Sequence, residues 1–247
     1  MFIFKSIKTQ LILFLIVFSV YLGIINHDIS FFQAVSFSVF FAVLYELCFY
    51  VLKRRNPVIL ESAVITGLII ALVLGGGQNW RYYIVVPFLA ITSKHVIRIK
   101  NCHIFNPAAF GLLLATILLP IRLQWLGTYQ WYILLPFGLY FIYKIRKLEL
   151  LISYLAVLLI VWGGQVLSQG GNPMIVFGFL SYFFVFIMLI EPKTTPITKF
   201  GKIGFGAVAG LFVLVLTQAG LTIDVELGSL LIANTCVPLL NKLKYRK

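Results

Sequence analysis

Residues 56–77 read "NPVILESAVITGLIIALVLGGG". After Glu61 no charge appears before the three glycines that close the run. The apolar residues are continuous rather than alternating, and the run is too long for a strand, so it reads as a helix. The rest of the chain repeats the pattern. It is 61% hydrophobic and 11% charged over 247 residues, where a soluble domain carries about 25% charged residues. A soluble core of this length cannot hide that much apolar surface. Outer-membrane barrels, with alternating strands of about ten residues, are excluded by the same continuity. The sequence predicts an all-α integral membrane protein.

Polar breaks divide the chain into ten apolar runs, at 9–26, 30–52, 57–75, 81–97, 106–122, 129–145, 148–167, 173–190, 203–219 and 225–241. The fourth, fifth and ninth are short for a hydrocarbon layer of about 30 Å. The first is followed by "NHDIS" with no small-residue cleavage site, so it reads as a retained span. Ten crossings that start in the cytoplasm place 18 of the 20 basic residues on one side, leaving Arg81 and Arg122 outside. The positive-inside rule then puts both termini in the cytoplasm and the protein in the cell's inner (cytoplasmic) membrane. The net charge of +13 is spread through these loops as small clusters, which argues against a nucleic-acid partner and for the lipid bilayer.

The chain reads as a single membrane domain, 1–247. Ten spans divide into two repeats, 1–125 and 126–247, and a five-span unit repeated in tandem is inverted in the membrane. "NPMIVFGFLSYFFVFIMLIEP" (172–192) echoes the opening stretch, since both begin with Asn-Pro and end in a helix break.

Polar groups inside a bilayer are costly and mark candidates for function. Glu46, near the inner end of the second span, is expected to snorkel or to pair with Arg54. Glu61 suits a helix first turn. Thr66-Gly67 interrupts the third span, where Thr returns its hydroxyl to the backbone and Gly admits a close neighbour. "SKHVIRIKNCHIFNPAAFG" (93–111) is the richest stretch: Asn106 before Pro107 makes a helix start, and His103 lies three residues earlier. His95, Cys102 and His103 lack the spaced pairs of a metal site, and Cys48, Cys102 and Cys236 lack a disulfide pattern. "IEPKTTPITKFGKIG" (190–204) reads as an ordered turn. No Walker loop, dinucleotide fingerprint or hydrolase triad is present.

Four stretches in order resemble the NqrB/RnfD family, membrane subunits of ion-translocating electron-transfer complexes: "ESAVITGLIIALVL" (61–74), "KHVIRIKNCHIFNPAAFGL" (94–112), "MLIEPKTTPITKFGKIGFGAVAG" (188–210) and "ELGSLLIANTCVPLLNK" (226–242). The resemblance implies a ten-helix inverted-repeat fold and a flavin, riboflavin or FMN, held without a covalent bond by Thr66, His103 and Asn106. The family usually has Asn at the position of His103. It also implies a covalent FMN on a Thr between spans five and six. Here that loop keeps only Gly127-Thr128 of the attachment motif, so no covalent flavin is expected at Thr128. An amide that both donates and accepts suits the polar edge of a flavin ring. The function implied is a membrane electron-transfer subunit of an ion-translocating oxidoreductase, working with other membrane and peripheral redox subunits. A solute transporter or channel on the same scaffold is the alternative, and an assembly scaffold without cofactor a third reading.

Overall fold

The computed structural model describes residues 6–54, 60–99 and 102–243. Lys5, Arg55, Asn56, Pro57, Lys100, Lys244, Arg246 and Lys247, all used in the sequence reading, lie outside them. The protein is mostly helical, and its backbone separates into two compact units. The first holds residues 1–103 and 107–127, the second 104–106 and 128–247.

In the first unit α1 spans Ile7–Ile25, α2 Ile29–Leu52, α3 Glu61–Leu74, α4 Tyr82–Val96 and α5 Pro107–Leu118. Between α4 and α5 stands a small ribbon that an all-α reading does not contain: β1 (Arg98–Ile99) pairs antiparallel with β2 (Cys102–His103). Helix α2 packs on α3 and α4, α1 on α3, and α4 on α5. Every residue of α3 from Thr66 to Leu74 is buried, as expected of a helix that is apolar all round. A Cβ on Gly67 would lie 2.7 Å from the Cα of Val39 and 2.8 Å from the carbonyl of Ser38, so only glycine permits this crossing of α2 and α3.

At about 1.5 Å per residue, α3 is shorter than a hydrocarbon core. It ends at Gly75, whose φ of 75° is costly for any residue with a Cβ. A helix that stops early leaves carbonyls to satisfy, and in lipid they have no water. The chain after α5 supplies the donors. Gln124 and Trp125 give their N–H groups to the carbonyl of Val73 at 2.8 and 3.0 Å, and Leu126 gives its own to that of Leu72 at 3.0 Å. The Tyr83 hydroxyl donates to the carbonyl of Gly75 at 2.8 Å. The glycine break is thus closed within its own unit.

In the second unit α6 spans Trp131–Ile145 and α7 Leu148–Leu158, which runs through a π turn (Leu159–Gly163) into α8 (Gly164–Ser168). Helix α9 covers Lys199–Gln218 and α10 Val225–Leu240. Helix α9 packs on α7 and α10, where Gly206 and Gly210 meet the carbonyls of Leu150 and Tyr154. The predicted eighth span is not one helix. It is a 3-10 turn (Pro173–Phe179), a break at Leu180–Ser181 and a π segment (Phe184–Met188). The ninth run is longer than predicted, because Thr198 accepts the N–H of Gly201 at 3.1 Å and starts the helix at Lys199.

Among the described residues, four helices are long and apolar enough to cross a membrane: Ile7–Ile25, Ile29–Leu52, Leu148–Ser168 and Lys199–Gln218. Shorter apolar helices at Glu61–Leu74, Pro107–Leu118, Trp131–Ile145 and Val225–Leu240 accompany them. Large apolar side chains such as Val17, Ile24, Phe40, Ile152 and Ile160 point outward. That is costly in water and neutral in lipid.

Candidate functional site

Asn106 begins where the ribbon ends and α5 starts, and it is only 2% exposed. Its backbone N–H donates to Oδ1 of Asn234 at 3.0 Å, and its amide Nδ2 donates to the carbonyl of Met188 at 3.4 Å. Asn234 is fully buried in α10 and uses its own Nδ2 on the carbonyl of Thr194 at 3.0 Å. The Thr194 hydroxyl turns to Glu191 Oε2 at 3.2 Å, and that of Thr195 to the Glu191 carbonyl at 2.7 Å. The predicted turn before α9 is therefore ordered by distant side chains. Lys147 Nζ holds the carbonyl of Pro196 at 2.6 Å, and Asn241 Oδ1 accepts the N–H of Ile197 at 2.9 Å. Lys147 sits in the corner between α6 and α7. Burial, with Lys202 nearby and Glu149 acting the other way, pushes its amine down to about 8.

Thr128 shares a hydrogen bond with Ser181, 3.2 Å between hydroxyl oxygens. Ser181 also accepts the N–H of Phe184 at 3.3 Å and so caps the π segment after the break. Glu226, in the first turn of α10, accepts hydrogen bonds from the same serine. Thr66 and His103 belong to the first unit, and both are buried. The Thr66 hydroxyl returns to the carbonyl of Ser62 at 2.8 Å, as its sequence position suggested. His103 stands opposite Arg98 in the ribbon. The four predicted site residues are thus divided, Thr66 and His103 in one unit, Asn106 and Thr128 in the other.

Glu46 does not pair with Arg54. It is 1% exposed, with Lys94 Nζ 2.8 Å from Oε1 and His95 Nε2 3.2 Å from Oε2. The His95 ring stacks on Phe49 at 4.4 Å, so His95 serves a carboxylate. A buried pair is the physical alternative to snorkelling when the neighbouring helix brings a cation to the same depth. Glu61 lies in the first turn of α3, 3.7 Å from Lys8.

Asn234, Ser181 and Glu226 were not singled out from the sequence. Asn234 and Glu226 do carry the signal used elsewhere, a polar or acidic residue in an apolar run. Only their positions against Asn106 and Ser181 give that signal meaning.

The sequence model of the NQR2, RnfD, RnfE family matches residues 4–132 and 127–247. The chain belongs to this family. It is a multi-pass membrane protein of the NQR2, RnfD, RnfE type, and the resemblance read from the four motifs holds across its length. A search of curated proteins gives no match.

Proposed function

We propose that the chain is a membrane-embedded, flavin-binding electron-transfer subunit of an Rnf- or Nqr-like ion-translocating oxidoreductase. The observation that carries this reading is the family match over both halves of the chain. Family members of this type belong to multi-subunit complexes, and no nicotinamide fingerprint is present in this sequence. Electrons then arrive from, and leave to, other membrane or peripheral subunits. The proposed setting is the cell's inner membrane, crossed ten times with both termini cytoplasmic.

A five-crossing unit used twice and inverted is the proposed architecture. Helix pairing supports the repeat: α1 on α3, α2 on α4 and α4 on α5 in the first unit are echoed by α6 on the π segment, α7 on α9 and α9 on α10 in the second. So does "LLLATILLP" (112–120) against "LLIANTCVP" (230–238).

The proposed cofactor is riboflavin or FMN, held without a covalent bond. Its chemistry is the reversible uptake of electrons by the isoalloxazine ring, with the protein supplying position and polarity. The residues present fit its polar edge by chemistry. Taken singly, Asn106 carries an amide that both donates and accepts, Thr66 a hydroxyl, and His103 an imidazole that can donate or accept. Thr128 already shares its hydroxyl with Ser181, and a lone Gly-Thr is a poor remnant of an attachment motif, so no phosphoester is proposed there.

The deciding experiment is an absorption spectrum of the purified protein before and after acid precipitation. A flavin spectrum that moves to the supernatant supports this reading. Flavin retained in the pellet overturns the non-covalent assignment. A colourless protein overturns the redox reading in favour of a transporter or channel, which the helix breaks at Gly75 and Ser181 also suit.

A further inference from the structure

In the second unit the corner between α6 and α7, the start of α9 and the end of α10 come together. Lys202, in the first turn of α9, donates from Nζ to the carbonyl of Arg146 at 2.5 Å and lies 3.6 Å from Glu149 Oε2. The Thr198 hydroxyl reaches the carbonyl of Leu240 at 3.4 Å, beside the bond from Ile197 to Asn241. Arg146 ends α6 in the left-handed region, with a φ of 56°. The backbone here is thus fixed by side chains from several elements. On it Arg146 and Lys199 are both exposed.

This end of the unit carries Arg146, Lys147, Lys199, Lys202 and Lys242 against Glu149 and Glu191. The other acids, Asp224 and Glu226, belong to the far end of α10. Glu149 is taken by Lys202, and Lys147 is spent on the carbonyl of Pro196. Among the described residues no carboxylate lies within ion-pair distance of Arg146 or Lys199. Lys199 and Ile203 are four residues apart and share one face of α9. In further steps of four that face continues to Leu211 and Val215, both turned outward. Helix α7 repeats the arrangement, with Leu148 and Ile152 following Arg146 and Lys147. Leu148 is 50%, Ile152 57% and Ile203 39% exposed. Solvent alone suits the cations but not these side chains, and hydrocarbon alone suits the side chains but not the cations. A molecule with an anionic head and acyl chains suits both.

We propose that the corner between α6 and α7, with the start of α9, forms a binding site for an anionic phospholipid. Its phosphate is held at Arg146 and Lys199, with Lys147 and Lys242 adding to the positive field. Its chains lie along Leu148 and Ile152 on α7 and Ile203 on α9. The site follows from the membrane setting and depends neither on a bound flavin nor on which side faces the cytoplasm. Basic clusters at helix ends commonly recognise such headgroups.

The test uses the full chain in a neutral detergent, with thermal unfolding followed as dioleoyl-phosphatidylglycerol or dioleoyl-phosphatidylcholine is added. Phosphatidylglycerol is expected to raise the unfolding temperature, and phosphatidylcholine with the same chains is not. Arg146→Asn combined with Lys199→Gln should raise the phosphatidylglycerol concentration for half the shift by about fivefold per cation removed. Asn tolerates the φ of 56° at position 146, and Lys199→Gln alone serves if the pair fails to fold. Arg81→Gln, in the first unit, should leave the response unchanged. Equal shifts from both lipids, an unchanged response in the variants, or an equal shift from glycerol 3-phosphate, which would mark a site for free phosphate, each overturns the proposal.

Discussion

The side-chain carbonyl of Asn234 accepts the backbone N–H of Asn106 at 3.0 Å, across 128 positions of sequence. With its other atom Asn234 holds the carbonyl of Thr194, so one buried amide joins Asn106, the turn before α9 and α10 within the second unit. Asn234→Ala strands a buried donor and a buried acceptor. Each is expected to cost about 1–3 kcal/mol, read as a lower unfolding temperature in detergent. Thr235→Ala, at an exposed neighbouring position on α10, should stay within about 0.5 kcal/mol of the parent. Equal losses in the two variants would show that Asn234 is not the anchor described.

Thr66 separates structure from cofactor binding. Its hydroxyl goes back to Ser62 in its own helix, a bond that does not join α3 to another element. Thr66→Val keeps the branched shape and is expected to leave unfolding almost unchanged. Under the proposed function it should nonetheless weaken flavin retention, by up to about tenfold for one lost hydrogen bond. Flavin content in the purified variant, measured against the parent at equal protein concentration, decides it. Full retention would remove Thr66 from the flavin site.

Glu46 is expected to be intolerant of single change. Glu46→Gln leaves Lys94 and His95 facing a neutral amide at low exposure, and breaking a buried pair from one side costs about 3–5 kcal/mol. Adding Lys94→Met removes the stranded charge and should recover much of that loss. A double-mutant cycle on unfolding in detergent gives the coupling. Additive losses would mean that the pair does not interact as the 2.8 Å distance implies.

Lys147 predicts a pH dependence with a definite sign. Burial first, then Lys202, lowers its amine to about 8 from 10.5, with Glu149 opposing. Below pH 8 both folded and unfolded chains carry the proton, and the full cost of burying the charge is present. Between about 8 and 10.5 the folded protein loses the proton while the unfolded chain keeps it, so stability rises with pH. The gain is at most about 3 kcal/mol. Lys147→Met should flatten this rise, as followed by unfolding temperature from pH 7 to pH 10. A parent that loses stability over this window faster than the variant would reverse the assignment.

The sequence alone determined the membrane class, the family and the approximate limits of most apolar helices. Helix-length uncharged runs have few physical alternatives in water or in lipid, and motifs such as "ESAVITGLIIALVL" are local. It also located Asn106, Thr66 and the turn after Ile190, because proline, glycine and polar residues in an apolar run are visible one segment at a time. Only the tertiary structure decided the partners. Glu46 meets Lys94 rather than Arg54, since α4 brings its cation to the depth of the carboxylate while Arg54 lies beyond the end of α2. The eighth run breaks at Ser181, where Thr128 and Glu226 give its hydroxyl uses that a continuous helix would not offer. Asn234 became legible only once Asn106 lay against it. Hydropathy depends on what each residue is, whereas a buried hydrogen bond depends on which two residues the packing brings within about 3 Å.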